Sequence, residues 1–235
     1  MTTEDTSPKK TLTKIGLSLF IVFFTFIIYS NTLHNPFVYD DRIIISGNPA
    51  LNDISKVKVI FSKDYFRVTG ERSYRPVSTA LLFIESALGG GEPFAFHVTG
   101  IAVHALNGVL IFLIAGFLFG GTALPLFSAL LFTAHPIQAE AVNVMSFIED
   151  PLSTLFLLGS VYLYLLSGKA RLKAIPYAAS LCFALAAMLS KESAAVLPAV
   201  VLLTALLFRD KNDPRSWKKD VLKYSGILLS FAIFI

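Results

Sequence analysis

The chain has 235 residues, of which 54% are hydrophobic and only 15% charged, and its mean hydropathy is +0.67. Soluble domains carry about 25% charged residues, so this composition excludes an ordinary water-soluble domain and points to a membrane protein. The net charge of +4 and pI near 9.1 read as basic loops on the cytoplasmic side of a bilayer, with no nucleic-acid partner. A single cysteine, Cys182, rules out a disulfide framework or cysteine metal cluster within one chain, and it is expected as a small buried apolar residue.

Residues 1–13 are polar and basic and read as a cytoplasmic N-terminus. The apolar run 15–29 has no small-x-small cleavage site before Asn31, so an uncleaved first helix is expected rather than a signal peptide. A spanning helix needs about 20 mostly apolar residues. Candidates are 14–30, 97–119, 122–134, 151–166, 174–189, 193–208 and 221–235. The expected architecture is an all-α polytopic membrane protein, a bundle of about seven transmembrane helices. It comprises a membrane domain over 14–208, a basic cytoplasmic loop over 209–220 and the start of a further helix over 221–235. That last run reaches Ile235 without a polar flank, as the N-terminal part of a longer protein would.

The segment 75–89 decides the topology. It is short for a crossing and contains Glu85; a carboxylate at the bilayer centre costs roughly 2.5–3.5 kcal/mol on insertion scales. A surface helix is cheaper. With 75–89 on the surface, Lys9, Lys10 and Lys14, then Lys169, Arg171 and Lys173, then the basic residues from Arg209 to Lys223 all fall on the cytoplasmic side, as the positive-inside rule requires. The opposite, outer side then receives the long loop 31–96, the stretch 135–150 and the turn 190–193. Two surface helices are expected in the long loop, near 53–62 and 75–89. Asn52-Asp53 would cap the first, with Ile54, Val57 and Phe61 on one side. Tyr65-Phe66 is expected as an aromatic anchor at the membrane interface.

All the conspicuous acids beside apolar segments thereby collect on the outer side: Asp40, Asp41, Glu140, Glu149, Asp150 and Glu192. Asp40 and Asp41 repel one another and call for a cation, which Arg42 can supply; a carboxylate there can take a proton from an acceptor hydroxyl. The plainer reading of this pair is helix capping or solvation. Glu149 and Asp150 precede Pro151 and also suit a helix N-terminus. Glu140 reads as solvated surface. Lys191 is the one basic residue of a short outer turn, beside Glu192, and Arg75 stands before Pro76. Both cations suit a phosphate-bearing ligand, although a lysine at a membrane boundary can simply snorkel. His97 and His104, seven apart, read as packing rather than zinc ligands, and Gly89-Gly90-Gly91 is a turn, not a phosphate loop.

In chain order, N-P-F-V-Y-D-D-R (35–42), S-Y-R-P (73–76), A-L-G-G-G-E-P-F-A-F-H (87–97), H-P-I-Q-A-E-A-V (135–142) and S-K-E-S (190–193) together resemble the transmembrane and tetratricopeptide-repeat-containing O-mannosyltransferases and their bacterial relatives. That group is similar to the protein O-mannosyltransferases of the wider GT-C superfamily. The resemblance implies a GT-C fold and transfer of a sugar, mannose above all, from a polyprenyl or dolichyl phosphate to a protein or other acceptor hydroxyl at the extracytoplasmic face. It places the catalytic acids at Asp40 and Asp41, one as general base, and a second acidic site at Glu149-Asp150. Arg42, Arg75, Glu149, Asp150, Lys191 and Glu192 are the expected substrate-binding groups. The chain has Ile148-Glu149 where the family pattern has Gly-Arg, so one expected cation is missing from that motif. No metal ligand is assigned, and a divalent metal is left open as cofactor. The expected location is a bacterial inner membrane, with the endoplasmic reticulum as alternative. A transporter or flippase, and a non-catalytic membrane scaffold, are the rival classes.

Overall fold

The computed structural model describes residues 8–169, 172–208 and 225–229. Among them every regular element is helical. Helix α1 (Pro8–Tyr29) is apolar and runs into a 3-10 turn, Ser30–Thr32. Its hydroxyls do not cost burial energy: Thr25 Oγ1 donates to the Ile21 carbonyl and Thr32 Oγ1 to the Tyr29 carbonyl, both at 2.8 Å. The long loop holds α2 (Asp41–Ile44), the 3-10 turn Ile54–Phe61, α3 (Tyr65–Thr69) and α4 (Pro76–Gly89). Then come α5 (Pro93–Phe119), α6 (Ala123–Ala134), α7 (Ala139–Asn143), α8 (Glu149–Lys169), α9 (Ala174–Ser190) and α10 (Leu197–Phe208). Prolines open α4 and α5, where a missing N–H is not needed.

Among the described residues three helices are long and apolar enough to cross a membrane: Thr11–Thr32, Pro93–Phe119 and Met145–Gly168. They match the expected runs 14–30, 97–119 and 151–166. Helices α6 and α10 have 12 residues each, about 18 Å of rise against a hydrocarbon core of about 30 Å. Most of the expected run 221–235 and the basic loop 209–220 lie outside the described residues.

Helix α5 is the centre of the bundle, packed against α1, α4, α6 and α8. Close approach depends on small residues, as in other membrane bundles. A Cβ on Gly108 of α5 would collide with Thr133 Cγ2 of α6 and lie 3.1 Å from Ile21 Cγ2 of α1. Helices α8 and α9 form a tight pair in which a Cβ on Gly159 would meet Phe183 Cδ1 at 2.5 Å. Hydroxyls and amides tie the helices across their faces. Ser160 Oγ donates to the Ser180 carbonyl (2.8 Å), Ser153 Oγ to the Ala187 carbonyl (3.1 Å) and Asn107 Nδ2 to the Pro151 carbonyl (2.9 Å). His104 Nε2 donates to the Thr133 carbonyl (3.2 Å); His104 and His97 are both buried, as packing residues.

The long loop has its own core, in which Ile45, Leu51, Leu82 and Phe83 pack against Phe96, Met145 and Ile148. Here several expectations change. The segment 54–61 is a 3-10 turn with three residues per turn, so Val57 and Ile60 share the inward face and Phe61 falls off it; Ile54, at the start of the turn, is exposed. Asp53 caps it as expected, accepting from the Ser55 N–H at 3.0 Å. Tyr65 is buried rather than an interfacial anchor; only Phe66 is exposed. Helix α4 turns its polar residues Ser78, Thr79, Glu85 and Ser86 inward and exposes Ile84 and Leu88, so Glu85 is covered by protein. Cys182 is exposed on α9, not buried: an apolar side chain in a membrane bundle has no need to avoid its surroundings.

Overpacking one shared contact should loosen the bundle. Gly108→Val is expected to cost about 1–3 kcal/mol. Gly116→Ala, whose Cβ would meet only Pro125 Cγ at 3.9 Å, is expected to leave thermal unfolding in detergent unchanged or slightly raised.

Candidate functional site

Arg75 is placed by its own backbone. Pro76 at the start of α4 keeps residue 75 out of the helix, at φ −127° and ψ 62°. The Arg75 N–H donates to Tyr65 Oη (3.1 Å), Tyr65 Oη donates to Thr79 Oγ1 (2.7 Å), and Thr79 Oγ1 donates to the Arg75 carbonyl (2.9 Å). This closed ring consumes both backbone polar groups of Arg75 and leaves its guanidinium to point away. Burial raises the Tyr65 hydroxyl above the ordinary phenol range, which keeps it a donor.

The guanidinium meets carboxylates from two distant parts of the chain. Arg75 Nε and Nη2 donate to Glu192 Oε2 (3.0 Å) and Oε1 (2.7 Å), a two-pronged fork, and Nη1 donates to Glu149 Oε1. Lys191 Nζ donates to Asp150 Oδ2 (2.6 Å) and lies 3.5 Å from Glu149 Oε1. Glu149 therefore stands between both cations. It and Asp150 occupy the first turn of α8, where the helix dipole favours negative charge. Lys191 and Glu192 form the sharp exit from α9, anchored by Ser78 Oγ of α4 donating to the Ser190 carbonyl (2.8 Å). The stretches 31–96, 135–150 and 190–193 thus meet at one end of the bundle.

The centre of the group is shielded from water: the side chains of Arg75 and Glu149 are 16% and 11% exposed. Removing one partner of such a pair leaves a stranded charge and costs about 3–5 kcal/mol. The Arg75 bonds hold the Glu192 carboxyl down at about 2 and push the Arg75 guanidinium up. Glu71, which the sequence reading did not single out, faces the same charges. Burial first, then the nearby Glu149 and Glu192 carboxylates, push its carboxyl up to about 7 against the pull of Arg75. Four residues before Arg75, Glu71 was open to detection only once Gly70, in the left-handed region at φ 74°, was known to turn the chain there.

The acidic pair forms a second, adjoining group. Asp41 is buried: its Oδ1 accepts from the Ser146 N–H (2.7 Å) and its Oδ2 from the Val38 N–H (3.2 Å). Asp40, one residue earlier, is exposed, and follows Tyr39, which adopts φ 46°; a left-handed tyrosine carries about 1–3 kcal/mol of strain. Arg42 is exposed and its Nε donates to the Phe37 carbonyl (3.3 Å). Among the described residues no ion pair joins Asp40, Asp41 or Arg42 to the Arg75 group. The link is covalent: the 3-10 turn Met145–Ile148 carries the Ser146 N–H held by Asp41 and runs directly into Glu149. Glu140 is exposed. Among the described residues no three His, Cys, Asp or Glu side chains are grouped to hold a metal ion.

Residues 74–235 match the dolichyl-phosphate-mannose-protein mannosyltransferase family. The chain belongs to that family. The matched region takes in Arg75, Glu149, Asp150, Lys191 and Glu192 and leaves out the acidic pair. Among curated proteins the chain is 31% identical over 144 residues to Protein O-mannosyl-transferase tmtc2 of Xenopus laevis, covering 59% of this chain and 17% of that protein. It is 30% identical over 143 residues to TMTC2 of Homo sapiens, covering 59% and 17%. It is 28% identical over 171 residues to Protein O-mannosyl-transferase F38B6.6 of Caenorhabditis elegans, covering 68% and 25%. The chain therefore spans a quarter or less of the length of these mannosyltransferase relatives. No solved structure matches it.

Two outcomes check this geometry. Glu71 holds its proton up to about pH 7 in the folded protein against an ordinary 4.5, so the folded state binds more protons in that window and stability falls as pH rises through it. Glu71→Gln should flatten that slope and raise the melting temperature at pH 8. Asp41→Asn presents an amide N–H₂ to one of two buried donors and should cost about 1–3 kcal/mol, read as a drop in melting temperature.

Proposed function

We propose that this membrane protein is the site-bearing part of a GT-C-type glycosyltransferase, an inverting enzyme that moves mannose from a polyprenyl or dolichyl phosphate to a protein hydroxyl at the extracytoplasmic face. The observation that carries the reading is the convergence of Arg75 and Lys191 with Glu149, Asp150 and Glu192 at one end of an apolar bundle, in a chain of the mannosyltransferase family. A lipid phosphate leaves as a dianion close to the membrane surface, and preorganised cations there stabilise it without reorganising. Arg75 offers a fork that fits two phosphate oxygens, and Lys191 a point charge beside it.

Asp40 is the base in this reading. The acceptor oxygen attacks the anomeric carbon, Asp40 takes the hydroxyl proton, and the bond to the phosphate oxygen breaks with its electron pair leaving on phosphate. The exposure of Asp40 supports that assignment. Asp41, with its oxygens engaged by backbone N–H groups, holds the loop in place, and Arg42 braces it through the Phe37 carbonyl. Glu149, Asp150 and Glu192 orient the two cations. The bundle of about seven spans and the two surface helices near 53–62 and 75–89 belong to the same proposal, as does a place in a bacterial inner membrane or the endoplasmic reticulum.

Mannosyl transfer by the full-length protein in membranes tests it. Asp40→Asn is expected to lower turnover by about 10²–10⁴ while leaving the binding of lipid phosphate within twofold. Unchanged turnover would remove Asp40 from the reaction. Uptake of substrate into proteoliposomes without sugar transfer would favour a transporter instead.

A further inference from the structure

We infer that Glu192 is a built-in stand-in for the donor phosphate, occupying the Arg75 fork at rest and swinging out when a lipid phosphate arrives. The inference rests on Arg75 being the donor-phosphate group and adds what happens to the site on binding. Three observations lead to it.

First, the fork is already full. Arg75 spends Nε and Nη2 on the two oxygens of Glu192 and Nη1 on Glu149. Two phosphate oxygens would use the same parallel N–H pair that a carboxylate uses, so phosphate and Glu192 compete for one face of the guanidinium.

Second, the two carboxylates on Arg75 differ in how they are held. Glu149 is 11% exposed, belongs to the 21-residue helix α8 and is also 3.5 Å from Lys191 Nζ. The Glu192 side chain is 55% exposed, although Arg75 itself is 16% exposed. It begins the five-residue 3-10 turn Glu192–Val196, and follows Lys191, whose backbone is extended at φ −157° and ψ 138°. Glu192 can rotate into water with little loss of packing; Glu149 cannot.

Third, the charges require an exit. Arg75 and Lys191 together bear two positive charges, and Glu149, Asp150 and Glu192 three negative ones. An added phosphate anion beside the shielded Arg75 and Glu149 would raise the excess further. Replacing Glu192 by the phosphodiester of a sugar donor, which also bears one negative charge, leaves the balance around the fork as it was. Glu192 thus keeps Arg75 compensated while the site is empty, and its return competes the lipid phosphate off after transfer.

The test is binding of farnesyl monophosphate, a short lipid phosphate, to the purified full-length protein in detergent. Glu192→Gln removes the competing charge and is expected to tighten binding by roughly five- to tenfold, the scale of a partly exposed forked ion pair. Arg75→Gln is expected to abolish binding in either background. Glu192→Asp, one methylene shorter and so unable to reach the guanidinium as closely, is expected to fall between wild type and Glu192→Gln. It also serves as the readout if the glutamine variant does not fold. Equal or weaker binding by the Glu192 variants, with binding still lost in Arg75→Gln, would overturn the stand-in and leave the phosphate site standing. Undiminished binding in Arg75→Gln would overturn both.

Discussion

A guanidinium shielded from water must be matched by negative charge, and Arg75 is shielded. That requirement organises one end of the molecule. Arg75 stands at the entry to α4, Glu149 at the start of α8 and Glu192 at the exit from α9. Satisfying Arg75 ties the three helix ends together through side-chain hydrogen bonds. The ring through Tyr65 and Thr79 fixes the backbone beneath it, and Ser78 ties α4 to the last carbonyl of α9. The charged group and its supports form one connected construction.

The two halves of the candidate site differ in stiffness. Asp41 is locked to the Ser146 N–H from inside the protein, while its neighbour Asp40 stands free. Glu149 is locked between two cations, while Glu192 on the same guanidinium is half in water. Each half pairs a buried carboxylate held on both sides with a more exposed one. The turn Met145–Ile148 joins them, since Asp41 holds its backbone and Glu149 follows it.

Below this end the bundle obeys membrane rules. Helices approach at glycines, and serine, asparagine and histidine side chains find carbonyls on neighbouring helices. Helix α4 buries Ser78, Thr79, Glu85 and Ser86 together with Leu82 and Phe83, and exposes Ile84 and Leu88. Surroundings that are themselves apolar exert no pressure to bury Ile84, Leu88 or Cys182.

The sequence alone determined what depends on composition and local pattern: an all-helical membrane chain, the boundaries of its long apolar helices to within a few residues, the cap at Asp53, and the residue types at the charged end. Charge bias among the loops also grouped the stretches carrying Arg75, Glu149, Asp150, Lys191 and Glu192 on one side, and their contacts agree with that grouping. Only the tertiary structure decided which carboxylate faces which cation, that Asp41 is buried while Asp40 is exposed, that Tyr65 supports Arg75 instead of anchoring a surface, and that Glu71 shares the site. Those outcomes turn on packing over long sequence separations, 117 residues for Arg75 and Glu192 and 105 for Asp41 and Ser146. Periodicity reports which face of a helix is apolar, but not which partner that face will meet.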